Sequence, residues 1–501
     1  MIDPKSETRE LLSKLMKLCH DNHWDLQQLI DQTLARPDAL PDASGSSDVD
    51  RPQVSPAGHM SRRVAVYIDS FDPPTCSHRE TVRRLIDSGF DEVVVCPAGP
   101  KTGGGDHQHA SPLHRAALVT LGFRGMEHVT VDYDDISLNQ YTSPNDLASR
   151  HSHRGNVWLL LGDEQETIDG DVQSIKLHND DASTESVSVS PNIKWIAGPK
   201  STSASTVREM VYDGASIEGF VTPFVSDYIQ RHKIFVPYSS HSCAYFQLSH
   251  PRLMIVSDPR NEKSRALAAR YKAYESDDPQ LILVLGGDGT MLHAIREHWR
   301  KRIPFVGLNT GHLGFLMNER LPDDLTSLPL ISYSLPMLRV DTEAPDGTQT
   351  MGLAFSDVWL ERAEGQAAWI RLDVDGETRM EKLVGDGMLV ATASGSSAYA
   401  RAMGAIPVPV NTPTLALVGS NIFQPRFWKP MVLPDTSVIR LASLDRSGKR
   451  PVRGFIDGTA LGLVQQLTIR RSLTASVEMA YTREFDPSAR LIRSLFPPDE
   501  A

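Results

Sequence analysis

The stretch 281-LILVLGGDGTMLHAI-295 holds the residues best placed to do chemistry. An apolar run leads into Gly286-Gly287-Asp288-Gly289-Thr290, and a second apolar stretch follows. A buried parallel strand that ends in glycines presents backbone N–H groups at its carboxyl end. Glycine lets that backbone approach a phosphate without a Cβ clash, and a following helix N-terminus favours negative charge. Gly286, Gly287 and Gly289 can therefore cradle phosphates. A carboxylate among phosphates is repelled unless it holds a divalent ion or accepts a proton from an attacking hydroxyl. Asp288 thus points to phosphoryl transfer. A tight turn with a solvated aspartate is the competing reading.

A second constellation lies upstream, where 66-VYIDSFDPPTCSH-78 reads as strand, loop and then His78 at a helix start. The histidines of 107-HQH-109 and 151-HSH-153 fall in polar stretches and read as solvated loop residues rather than metal ligands. The Gly103–Gly105 run lacks the Gly-Lys-Ser/Thr ending of a P-loop and reads as a flexible loop. Cys19, Cys76, Cys96 and Cys243 show no C-x-x-C spacing, so neither a disulfide framework nor a zinc site is expected. A reducing cytoplasm fits.

The elements that must position these residues alternate. Strands are predicted at 63–71, 91–99 and 156–163, with helices near 79–90, 111–123 and 223–235. The polar stretch 169–192 reads as a surface insertion. A second unit opens with strand then helix over 252–274, followed by strands at 281-LILVLGG and 303-IPFVGLN. From about residue 335 short alternating segments such as 369-WIRLDVDGE-377, 388-MLVATAS-394 and 465-QQLTIRRS-472 predict a β-rich region. Residues 7–34 read as short amphipathic helices. Residues 35–59, rich in Pro, Ser, Asp and Gly, read as a linker.

The chain has 501 residues, 40% hydrophobic and 23% charged, with a formal net charge of -12. That size allows two or three domains, and that charge argues against a broad nucleic-acid face. No apolar run approaches the ~20 residues of a membrane span, and the charged N-terminus lacks a signal-peptide core.

Five segments in order carry a family resemblance: 255-IVSDPRNEKSRALA-268, 285-LGGDGTML-292, 307-GLNTGHLGFL-316, 385-GDGMLVATASGSSAY-399 and 453-RGFIDGTALG-462. Together they resemble the NAD kinase family over roughly residues 250–497. The resemblance implies phosphoryl transfer from ATP, or polyphosphate, to the 2′-hydroxyl of the adenosine ribose of NAD, with Mg²⁺ on the donor phosphates. By position it implies that Asp288 is the catalytic base, that Gly289 and His293 line its pocket, and that Thr290 and Asn309 belong to the nucleotide site. Asp386 would meet the nicotinamide side, and Ser397 and Tyr399 the adenine and ribose. Where the family carries Asn-Glu, this chain has Ser356-Asp357. Its T-P-T-G-S-T segment reads T-A-S-G-S-S, without the proline.

The upstream loop, with 201-STSASTVREMVYDGASIEGFVTPFVSDYI-229, resembles the nicotinate or nicotinamide mononucleotide adenylyltransferases over about 61–236. This implies a site of Thr75, His78, Asp163, Ser203, Ser205 and Arg208, or a nucleotide-binding regulatory domain descended from one. Thr75 and Ser77 replace a histidine and a glycine of that family's motif, and Asp69 or Ser70 its opening glycine.

The fold class expected is α/β. A helical segment and linker (1–60) would precede an N-terminal Rossmann-like nucleotidyltransferase domain (61–236). A kinase domain (237–501) would follow, with an α/β part at about 250–330 and a β-rich part at about 331–480. NAD and ATP are the expected partners, with no nucleic acid or membrane, in a cytoplasmic homo-oligomer. Two alternatives stay open: a kinase for a lipid or another small alcohol, and a non-catalytic nucleotide sensor.

Overall fold

The computed structural model describes residues 62–100, 109–162, 172–178, 192–199, 202–236, 243–311, 314–445, 447–482, 485, 487 and 491. The helices and linker expected within 1–60, the Gly103–Gly105 run and Asp163 lie outside these residues.

The first sheet contains β1 (Arg63–Asp69), β2 (Glu92–Pro97), β3 (Val129–Val131), β4 (Asn156–Leu161), β5 (Ser174–His178) and β6 (Ile193–Ala197). All neighbours are parallel, in the order β3-β2-β1-β4-β5-β6. This is the doubly wound order of dinucleotide-binding sheets, which places ligands at the carboxyl ends of the strands. The apolar runs of β1 and β2 are buried along nearly their whole length, as strands covered on both faces require.

Two details depart from expectation. The helix Cys76–Asp87 starts three residues before the predicted 79, because Thr75 caps it: Thr75 Oγ1 accepts the His78 N–H, and His78 Nδ1 accepts the Thr75 N–H. The polar stretch read as an insertion contains β5, paired with β4 and β6. Its five residues are too short and too polar to stand out by periodicity.

The second sheet is built from β7 (Cys243–Leu248), β8 (Leu253–Ser257), β9 (Leu281–Gly286), β10 (Phe305–Asn309), β11 (Leu328–Glu343) and β12 (Gln349–Ala354). The chain then passes into the third sheet with β13 (Asp357–Arg362) and returns with β14 (Ala368–Val374) and β15 (Glu377–Gly385). The third sheet continues with β16 (Gly387–Thr392), β17 (Thr414–Ser420) and β18 (Met431–Pro434); β19 (Ile439–Ser443) belongs to the second. Finally β20 (Val452–Ile456) and β21 (Thr459–Leu463) complete the third sheet and β22 (Gln466–Thr482) the second. Strands β8, β9 and β10 are parallel, and β22 lies parallel beside β10. Leu338, Ile370, Leu467 and Ile469 of the second sheet share a buried core with Val358, Val390 and Leu417 of the third. No helix among the described residues is long and apolar enough to cross a membrane.

The helix Pro223–His232 docks the first unit onto β22. Arg231 grips Glu478 with two hydrogen bonds, at 2.7 and 3.1 Å. His232 Nε2 lies 3.3 Å from the same carboxylate, and the Ser332 hydroxyl donates to it at 2.7 Å. Burial opposes the charge, but Arg231 and His232 hold the Glu478 carboxyl far below the ordinary range. Replacing Glu478 with Ala strands Arg231 in the interior and is expected to cost about 3–5 kcal/mol, read as a lower urea midpoint. The loss should be full above an unfolded carboxyl pKa of about 4.3 and shrink as pH falls below it, because the depressed native pKa stabilises only the ionised form.

Candidate active site

Strand β9 ends at Gly286, and the helix Asp288–His298 begins immediately after Gly287. A Cβ on Gly287 or Gly289 would meet nothing within 4 Å, so the backbone there is open to a ligand. Gly286 plays another part: a Cβ would sit 2.3 Å from Thr290 Oγ1, so the glycine lets the helix turn close on the strand. Gly286 pairs in register with Asn309 of β10, and the Thr310 N–H bonds to Gly286 O at 2.9 Å. Gly286, Asn309 and the glycine turn thus share the carboxyl edge of the parallel strands.

Asp288 opens the helix. Its carboxylate accepts the N–H groups of Phe315 at 2.8 Å and Leu316 at 3.0 Å. These bonds tie the Gly307–Leu316 segment to the helix start and fix the carboxylate's direction. His293 stands exposed on the same helix, 3.5 Å from Glu297.

The third sheet supplies the second half of the site. The turn between β20 and β21 is Asp457-Gly458, both with positive φ (45° and 77°), as a two-residue type I′ hairpin needs. The Asp457 carboxylate accepts three successive N–H groups, from Phe355 (2.8 Å), Ser356 (2.7 Å) and Asp357 (3.0 Å). The turn after β16 closes over the same segment, where Thr392 Oγ1 donates to Phe355 O at 2.8 Å. A Cβ on Gly395 would lie 2.2 Å from Ser356 O, so only glycine permits that approach. Ala393, where the family motif has proline, holds φ -55°, within proline's own range. The lost proline leaves the turn's shape intact. Ser397 ends this turn, and Tyr399 is exposed, its ring 5.8 Å from that of Trp359.

The two parts meet. Arg296, on the Asp288 helix, donates to Asp457 O at 3.0 Å. Phe355 shares a buried core with Met291, Leu316 and Met317. Asp386 is not brought to this place. Strand β16 separates it from Thr392, and β13 pairs Asp357 with Ala391 but Glu361 with Gly387. Its backbone lies five residues from the position paired with Asp357, about 17 Å at ~3.3 Å per residue, and its carboxylate is paired with Arg362 at 2.6 Å and Asn421 at 2.7 Å.

Asp457 and Arg296 join the candidate site only through tertiary contacts. The Asp-Gly hairpin was visible in the sequence, but its carboxylate's hold on residues 355–357 depends on contacts a hundred residues apart.

In the first unit, Thr75 and His78 stand at one helix N-terminus, and Ser203, Ser205 and Arg208 at or near that of Ala204–Tyr212. Ser77 Oγ accepts the Thr202 N–H at 3.0 Å and links the two. Arg208 donates to Asp72 O at 2.6 Å, and Ser203 Oγ lies 2.8 Å from Ser205 Oγ. His78 is not an open donor. Its Nδ1 accepts from Thr75, and its Nε2 lies 3.3 Å from Asp69 Oδ2. A Cβ on Gly162 would meet that Asp69 carboxylate at 1.9 Å.

The reading of 151-HSH-153 as solvated needs correction for His151, which is buried and bonds Asp132 at 3.0 Å. His109 likewise bonds the buried Asp72 at 2.8 Å. Cys96, Asp132 and His151 form the one group with metal-ligand spacing among the described residues. Arg150 already bonds the Asp132 carboxylate, and burial pushes the Cys96 thiol well up, so both oppose a cation there.

Strand-end glycines, a held aspartate and a second buried carboxylate at the β-rich sheet make this the candidate phosphotransferase-type nucleotide site. Comparisons with known proteins are specific. The family model described as ATP-NAD kinase N-terminal domain matches residues 215–328. The chain is 34% identical over 232 residues to an NAD kinase of Brucella suis, covering 46% of this chain and 90% of that one. It is 32% identical over 253 residues to an NAD kinase of Rickettsia bellii, covering 49% and 98%. Among solved structures, an NAD kinase from Archaeoglobus fulgidus in complex with ATP matches with TM-score 0.36 at 18% identity, covering 48% of this chain and 96% of that one. Yeast NADH kinase complexed with NADH matches with TM-score 0.37 at 20% identity, covering 44% and 68%. The chain belongs to the NAD kinase family.

Burial pushes the Asp357 carboxyl up to about 6, and the charge of Asp457 adds to this. Such a raised pKa favours the folded state at low pH and becomes a cost as pH rises from about 4 through 6. Asp357→Asn should therefore raise the thermal midpoint at pH 8, by on the order of 2 kcal/mol of stability, and leave it unchanged near pH 3. Melting curves at the two pH values check this.

Proposed function

We propose that the kinase half transfers the γ-phosphoryl group of ATP to the 2′-hydroxyl of the adenosine ribose of NAD, giving NADP. The observation that carries this is Asp288, fixed by two loop N–H groups between glycines open to a phosphate, and linked through Arg296 and Asp457 to Ser356-Asp357. Asp288 takes the hydroxyl proton as the ribose oxygen bonds to phosphorus. The bond from that phosphorus to the bridging oxygen breaks, and ADP leaves. The backbone of Gly287 and Gly289 receives donor phosphates, for which inorganic polyphosphate offers the same groups. A divalent ion bound with those phosphates, Mg²⁺ in this reading, would neutralise their charge. Ser356 and Asp357 line the acceptor side.

The first half reads as an adenylyltransferase-type nucleotide-binding domain. The pairing of His78 with Asp69, and of Ser77 with Thr202, supports nucleotide holding over rapid turnover. We place the protein in the cytoplasm as a homo-oligomer. The exposed Phe423 and Phe427, 82% and 85% accessible beside β17 and β18, support a contact between copies.

Purified protein with NAD, ATP and Mg²⁺ should form NADP, and Asp288→Asn should lower the rate at least about 100-fold with an unchanged melting midpoint. An undiminished rate in that variant would remove Asp288 from the chemistry. In a pyrophosphate-release assay with ATP and nicotinamide or nicotinate mononucleotide, wild type should be slow. Asp69→Gly, which frees His78 Nε2, should be faster. Rapid release by wild type would identify a working adenylyltransferase instead.

A further inference from the structure

A cleft of about 800 Å³ runs between the first unit and the second sheet, and neither proposed site uses it. Its volume lies within the range of small-molecule pockets, about 300–1,000 Å³. Arg150 and Arg154 line one wall, and Arg300, Arg302, Arg339 and Arg470 the other. In a chain with a formal net charge of -12, this concentration of guanidinium groups stands out.

The local charges do not balance. Arg339 and Arg470 share a single carboxylate, Asp341, at 2.9 and 2.8 Å. Among the described residues Arg300 has no carboxylate partner, and its guanidinium lies over the Trp299 ring at 4.6 Å. Arg302 is only 7% exposed. Its guanidinium donates to Thr474 O at 2.5 Å and to Ser476 O at 3.4 Å, while its Nε has no hydrogen-bond partner. Its guanidinium also lies over the Trp299 ring at 4.8 Å; carbonyl dipoles and a ring face hold this charge in place but supply no counter-charge. Burial pulls its pKa below the usual arginine value. On the facing wall Arg150 is matched by Asp132 and Asp135, so the surplus lies on the kinase side.

We propose that this cleft binds a small molecule carrying a chain of two or more phosphates. Planar guanidiniums meet phosphate oxygens with paired charge-assisted bonds, which suits them to this anion. The surplus sits on two separate elements, residues 300–302 and the β11–β22 pair, so more than one anionic group is needed to answer it. A ligand there would touch both halves of the chain and couple them.

The test is calorimetric titration of the full-length protein with inorganic tripolyphosphate and, separately, ATP. Gly289→Asp serves as background, because its new carboxylate repels phosphate from the kinase cradle. Arg300→Ala with Arg470→Ala is added to it; Arg302 stays, since it also anchors two backbone carbonyls. The expected result is a tripolyphosphate site in the background protein, weakened at least tenfold by the double replacement, with the melting midpoint preserved. A parallel loss for ATP shows that phosphates alone are read, and a loss for ATP only assigns the cleft to a nucleotide. Unchanged affinity for both ligands overturns the proposal.

Discussion

Strand β22 is the constraint on which the rest of the molecule depends. It pairs parallel with β10 near its end and antiparallel with β11 along most of its length. Leu467 and Ile469 lie in the core shared with the third sheet, while Val477 and Met479 lie in the core beneath the Asp288 helix. One strand therefore passes through both cores. It also carries Glu478, the buried carboxylate that receives Arg231 and His232 from the first unit. A shift of one residue in its register would turn every side chain to the opposite face, breaking both cores and that ion pair together.

The site follows from this frame by a repeated device, a carboxylate that organises backbone. Asp288 gathers the N–H groups of residues 315–316, and Asp457 those of residues 355–357. In each case the N–H groups gathered lie in a connection between regular elements or at a strand's first residue, where no ladder uses them. The cost is concentrated at Asp357 and Asp457, both pushed up by burial, with like charge adding at Asp357. Strain of this kind gathers where function rather than stability sets the residues.

The first sheet shows the same fold economy put to another use. Its doubly wound order places His78 and Ser203 at two neighbouring helix starts, yet Asp69 occupies His78. The Asp69 carboxylate lies hard against Gly162, so a side chain at 162 could not coexist with it. The carboxylate at the strand end is thus accommodated by the surrounding backbone.

The sequence by itself determined the alternation of strands and helices, the phosphate-ready turn at Gly286–Gly289 and the membership of the second half in its family. These depend on local periodicity, on glycine's freedom from a Cβ and on motifs read in order. Strand β5 escaped because five polar-flanked residues carry little periodic signal. His151 was misread because a polar stretch can still fold one side chain inward, onto Asp132. Only the tertiary structure decided that Asp457 and Arg296 join the site, that Asp386 stands at the far end of β16, and that His78 is already engaged. Each of these depends on pairing register or on contacts between residues far apart in the chain, which no local pattern encodes.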